Sequence, residues 1–147
     1  MKKGDFVFVY GTLRSGERAD LFKSSKSFSI VPMGKDAING KLYHLGGFPG
    51  VKLLPGVTEF NDKLDRVLGE VGMVKDASIG ALLDTYEGYD SDAPKQGLYD
   101  RELVESMTGR LVWVYTYNHV VMDDQLIETG DWKNPRLVST RRIPMVR

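Results

Sequence analysis

An α+β fold carrying a mixed, strongly curved or barrel-like sheet is predicted by three features of the sequence. Strand-like segments outnumber helical ones, short Gly- and Pro-containing turns join most of them, and a single segment bears a clear helical stripe. Phe6 to Tyr10 is an unbroken run of β-branched and aromatic residues, which reads as a strand buried on both faces. Arg18 to Ser27 is expected to hold a short helix. In "INGKLYHLGGFPGVKLLPG", Ile38 to Gly56, strand-like pieces alternate with a Gly-Gly-Phe-Pro-Gly cluster and a Pro-Gly turn, the pattern of a β meander. "VLGEVGMV", Val67 to Val74, distributes its residues across two faces as a further strand.

Ile79, Leu82, Leu83 and Tyr86 then fall at i, i+3, i+4 and i+7, a helix with Asp76 or Ser78 as N-cap and Gly88 as its stop. After the polar loop Tyr89 to Gly97, strands are expected from Arg101 to Ser106 and from Leu111 to Tyr117, flanking the hairpin turn "MTGR".

With 147 residues, 41% of them apolar, the chain is expected to form one domain over 1–147 that buries about two thirds of its unfolded surface, with a basic tail over about 136–147. Twenty basic residues balance twenty acidic ones, so bulk charge recommends neither nucleic acid nor an anionic membrane as partner. Arg136, Arg141, Arg142 and Arg147 therefore read as a solvated tail before they read as a nucleic-acid or partner contact. The apolar run near the start is too short for a signal-peptide core or a membrane span, and a cytoplasmic setting is the expectation.

Several chemistries fall away. Without cysteine there is no thiolate nucleophile, disulfide or Cys-based zinc site. "GTLRSGER" begins like a phosphate loop, but Glu17 and Arg18 stand where Lys and Ser/Thr are required. Neither this turn nor "GGFPG" has the context of a dinucleotide fingerprint. His44 and His119 lack paired ligand spacing and read as structural histidines, and no serine sits in a G-x-S-x-G setting. Carboxylate chemistry remains, with backbone amides as its electrophilic partner.

Glu87 is the candidate acid. With 100° per residue and the stripe centred near Tyr86, it falls about 90° from the centre, on the apolar margin. It also occupies the last turn of the helix, where the dipole disfavours a carboxylate. Desolvation and dipole both raise its pKa, which suits proton transfer near neutral pH. The residues alone leave a second reading open, in which Glu87 pairs with a neighbouring cation such as Arg101. Asp84, about 140° from Ile79, is expected to face solvent. The turn Gly11-Thr12-Leu13, leaving a strand at Tyr10, can offer unpaired N–H groups to a carboxylate or an oxyanion, or be an ordinary strand end.

Taken in order, "VFVYGTLRSG", "GKLYHLGGFPGV", "GEVGMV", "LLDTYEGYD", "GLYDRELV", "VWVYTYN" and "ETGDW" resemble the γ-glutamylcyclotransferase-like, or AIG2-like, family from about Phe6 to Trp132. The resemblance implies a small mixed β-barrel with flanking helices. It implies further that Tyr10, Gly11, Thr12 and Leu13 line the pocket and hold substrate through backbone groups, that Glu87 is the catalytic acid/base, and that Tyr99 contributes a hydroxyl. Arg101 matches as well, in a structural or charge-pairing role. Thr12 replaces a common Ser, Gly72 stands where relatives often have an aromatic residue, and the Tyr89 to Gly97 loop is extended.

The implied reaction cyclises the γ-glutamyl group of a small γ-glutamyl amine or amino acid to 5-oxoproline and frees the amine. Being intramolecular, it requires no metal, nucleotide or other cofactor. A non-catalytic module that binds a small amino-acid-like ligand on the same scaffold is the alternative.

Overall fold

The computed structural model describes residues 1–23 and 29–137. Seven strands and one α-helix are found among them: β1 Phe6–Val9, β2 Ile30–Asn39, β3 Lys41–His44, β4 Pro49–Lys52, β5 Arg66–Val74, α1 Ser78–Glu87, β6 Tyr99–Glu105 and β7 Leu111–Tyr117. A short 3₁₀ turn follows at Asp123–Gln125. The strands form a mixed sheet in the order β2-β5-β1-β7-β4-β3, with β6 added on β7. This curled half-barrel with its helix is the α+β class expected from the sequence.

β1 is the centre of the molecule. It pairs antiparallel with β5 and parallel with β7, and its side chains alternate between two cores. Phe8 and Tyr10 join Ile38, Val67, Val71 and Val114 in one, while Val7 and Val9 join Ile30, Ile79, Leu83 and Tyr115 in the other. Burial on both faces explains why this short strand reads as an unbroken apolar run.

The arrangement around β7 creates the site. β6 occupies one edge of β7 along its whole length, Tyr99↔Tyr117 to Glu105↔Leu111. The other edge is shared: β1 pairs at Val112 and Trp113, and β4 pairs at Thr116. β1 therefore leaves the sheet just where β4 takes over, and Tyr10 and Gly11 turn away against Pro49. A Cβ on Gly11 would stand 2.4 Å from Pro49 Cγ, so the approach requires glycine.

Some expectations are corrected. β2 begins well before Ile38; Pro32 and Gly34 hide it, and the strand absorbs them by lying at the sheet end with a bulge between them. Residues 18–23 form turns instead of the helix expected from Arg18, and positions 24–27 of that segment lie outside the described residues. The cause is local. The Thr12 and Leu13 carbonyls accept from Ala19 and Leu21, and Asp20 accepts from the Gly16 and Phe22 N–H groups, bonds incompatible with an i to i+4 ladder. Gly72 is small because Ile30 Cδ1 and the Phe22 ring, 2.5 and 3.0 Å from where its Cβ would be, fill the space. Of the basic tail, Arg136 pairs with Glu128 at 3.5 Å, and residues 138–147 lie outside the described set. No helix among the described residues is long and apolar enough to cross a membrane.

Candidate active site

The turn after β1 is fastened from behind. Arg14, 5% exposed, donates through Nε to Glu70 Oε2 at 3.1 Å and through Nη1 to Asp131 Oδ1 at 2.7 Å. Glu70 also accepts the Ser15 N–H at 2.7 Å. The carbonyls of Gly11, Thr12 and Leu13 accept from Arg14, Ala19 and Leu21. None of the N–H groups of Gly11, Thr12 and Leu13 is used in these bonds, and all three residues line a pocket of about 200 Å³.

Across that pocket stands the end of α1. The N-cap is Ala77, without a side-chain cap bond, in place of the expected Asp76 or Ser78; Asp76 Oδ1 accepts the Ser78 N–H at 3.0 Å just before it, and Gly88 closes the helix in the left-handed conformation, φ 69°. The buried face carries Ile79, Gly80 and Leu83, whereas Leu82 and Tyr86 are more than half exposed. The stripe is thus rotated from the one expected. On a 100° wheel Ile79, Leu83, Glu87, Gly80 and Asp84 lie at about 0, 40, 80, 100 and 140°, so Glu87 falls near the middle of the buried face. Two things turn the helix: Met1 packs on the bare backbone of Gly80, and the charge of Asp84 is compensated. Arg101 Nη1 donates to both Asp84 oxygens, at 2.9 and 2.8 Å, and the Tyr115 hydroxyl donates to Asp84 Oδ1 at 2.6 Å. Asp84 is therefore a half-buried anchor to β6 and β7, contrary to the expectation of a solvated residue.

Arg101, with Asp84 as its carboxylate partner, is packed between Tyr89 and Trp113, 5.0 and 4.8 Å from their ring centres. Among the described residues Glu87 has no ion-pair partner, and the pairing with Arg101 left open by the sequence is not formed. Three phenols share its surroundings, and the hydroxyl proton of each is committed elsewhere. Tyr10 donates to the Tyr115 carbonyl at 2.6 Å, Tyr99 to the Pro49 carbonyl at 2.7 Å, and Tyr115 to Asp84. Desolvation pushes the Glu87 pKa up to about 7. The Tyr10, Tyr99 and Tyr115 hydroxyls are also raised, by burial first and by the Glu87 charge among the further causes.

The fold thus brings Tyr10, Gly11, Thr12, Leu13, Glu87 and Tyr99 to one pocket. The Thr12 hydroxyl lies 3.1 Å from that of Tyr86 on α1, linking the turn to the helix. Phe48, Pro49, Tyr115 and Arg18 are among the further lining residues, none of them expected in the site from the sequence. Pro49 and Tyr115 sit in local hairpins with β3 and β6, but it is the distant parallel pairings of β7 with β1 and with β4 that bring them to the pocket. The two histidines lie elsewhere: His44 Nδ1 accepts the Gly46 N–H at 3.2 Å, and the His119 ring sits edge-on to Tyr117.

The split sheet thus opens onto a small pocket that a desolvated carboxyl and the turn after β1 share, in a compact α+β fold. The family described as "Gamma-glutamyl cyclotransferase, AIG2-like" matches residues 7–134. The gamma-glutamylcyclotransferase family protein YtfP of Escherichia coli strain K12 is 31% identical over 127 residues, covering 86% of this chain and 94% of its own. Its solution structure superposes with a TM-score of 0.58, covering 86% of this chain and 95% of that one. The gamma-L-glutamyl-butirosin B gamma-glutamyl cyclotransferase of Niallia circulans is 33% identical over 137 residues, 89% of this chain and 77% of its own. A mouse AIG2-like crystal structure, 23% identical over 80% of each chain, shares the fold with a TM-score of 0.60. The chain belongs to the gamma-glutamyl cyclotransferase, AIG2-like family, and is a cyclotransferase-type enzyme.

Proposed function

We propose that the chain cyclises a small γ-glutamyl compound to 5-oxoproline and releases the free amine, with Glu87 as the acid/base. The observation that carries this reading is a carboxyl with no cationic partner among the described residues, raised to about 7, in the pocket lined by the Gly11 to Leu13 turn. Ionised Glu87 takes one proton from the substrate's α-ammonium, and the freed amine attacks its own γ-carbonyl carbon. The N–H groups of the turn anchor the α-carboxylate or stabilise the oxyanion of the tetrahedral intermediate. Collapse of that intermediate breaks the bond to the departing nitrogen. The ring nitrogen gives up its second proton, and the departing nitrogen gains two to leave as an ammonium, one of them carried by Glu87. Nucleophile and electrophile belong to one molecule, so the pocket's task is to fold the substrate and move protons.

Tyr99 and Tyr10 are wall residues in this scheme. Their hydroxyl protons are held by backbone carbonyls, and they shape the pocket around the carboxyl. The test is the release of 5-oxoproline from a panel of γ-glutamyl derivatives by wild type and Glu87→Gln. The isosteric amide removes the base, and turnover is expected to fall by about a hundredfold to ten-thousandfold. Undiminished release by the variant would refute the role of Glu87. Ligand recovered unchanged by wild type would favour the binding module.

A further inference from the structure

Glu87 and Arg18 are the carboxylic acid and the guanidinium among the side chains lining the pocket, and the reaction described above has no use for Arg18. The residue is exposed and stands where the turn after β1 meets the loop between β3 and β4. Its Nη2 donates to the Gly47 carbonyl at 2.8 Å, and Gly47 is itself exposed. That single bond orients the guanidinium and leaves most of its five N–H donors free. Among the described residues its partner is this carbonyl, with no carboxylate in ion-pair range. A fixed, uncompensated guanidinium at a pocket mouth is suited to an anion, and a carboxylate matches its fork best.

Which carboxylate it meets follows from the substrate's covalent structure. The α-ammonium must reach Glu87, and the α-carboxylate hangs from the same carbon, so it is held at the desolvated end beside the turn amides. Cyclisation folds the γ-carbonyl back over that amine. The departing nitrogen and whatever it carries then point out of the pocket, toward the exposed rim occupied by Arg18. We propose that Arg18 binds a carboxylate on the departing amine. The substrates, if the cyclisation reading holds, are then γ-glutamyl amino acids or peptides, in preference to γ-glutamyl derivatives of neutral amines or polyamines. A cationic amine would meet like charge at the same position.

The discriminating pair is γ-glutamyl-alanine and γ-glutamyl-ethylamide, which differ by the one carboxylate. Wild type is expected to favour the alanine compound by about 10- to 100-fold in kcat/KM, mostly through KM, as befits a charge-assisted hydrogen-bonded contact. In Arg18→Gln this preference is expected to collapse by at least tenfold, and in Arg18→Lys to return in part. A wild type without the preference, or a variant that keeps it, would overturn the assignment. The latter includes the case in which both substrates slow together because Arg18 holds the α-carboxylate. Should wild type turn over neither compound, the cyclisation reading fails on its own. The same two compounds used as calorimetric ligands of the same proteins then decide Arg18 by the same ratio.

Discussion

Two glutamates serve the turn after β1 from different elements, and their surroundings are opposite. Glu70, on β5 beside β1, receives the guanidinium of Arg14 and the N–H of Ser15. Glu87, at the end of α1, has no ion-pair partner among the described residues, and the three phenols near it direct their hydroxyl hydrogens to other acceptors. The first carboxylate is compensated and holds the loop in place. The second is left uncompensated, and its burial raises its affinity for a proton. The contrast separates a charge that builds a site from a charge available to react in it.

Breaking the compensated side should have the largest effect on stability. Arg14→Met removes the cation that Glu70 and Asp131 share and leaves Glu70 only Lys133 Nζ, 4.0 Å away; loss of one partner from a buried pair costs about 3–5 kcal/mol. Chemical denaturation should show that loss. Activity should fall further than the folded fraction, because the turn that this network fastens lines the pocket. A variant that stays within 1 kcal/mol of wild type would mean that the network is not what secures the turn.

The uncompensated side should respond in the opposite sense. Between about 4.5 and 7 the folded protein retains a Glu87 proton that the unfolded chain releases. Stability contributed by this group therefore falls as pH rises through that window and is lowest above it. Glu87→Gln removes the dependence. Relative to wild type it should be more stable at pH 8 than at pH 4.5 by on the order of 1–3 kcal/mol, measured by denaturation at the two pH values. Equal differences at both would indicate an ordinary surface carboxylate. The smallest effect is expected from Tyr86→Phe, which deletes the hydroxyl link to Thr12 on a half-exposed ring and should cost about 0.5–1 kcal/mol. A larger loss would transfer the fastening of the turn from Glu70 to the helix.

Much of this contrast was legible in the sequence, because it depends on local signals. The apolar run of β1, the Gly11 turn and Gly88 as helix stop all declare themselves within a few residues. So does the misfit of an acid in a last helical turn without a basic residue. What escaped depends on partners far along the chain. Asp84 reads as a surface residue until β6 and β7 deliver Arg101 and Tyr115 to it. The helix could not be oriented correctly while Leu82 and Tyr86 counted as core and Gly80 did not. β2 was hidden because a proline and a glycine mark a break unless a bulge absorbs them. Glu70 drew no notice in a strand pattern, its partner Arg14 being 56 residues away.

The most direct test of the uncompensated carboxyl needs no substrate. Carbon-13 titration of the Glu87 side chain, assigned by comparison with Glu87→Gln, should give a midpoint at about 7. A midpoint near the ordinary 4.5 would mean that the carboxyl is solvated or paired in solution, and would contradict the proposal that Glu87 is held ready to exchange a proton.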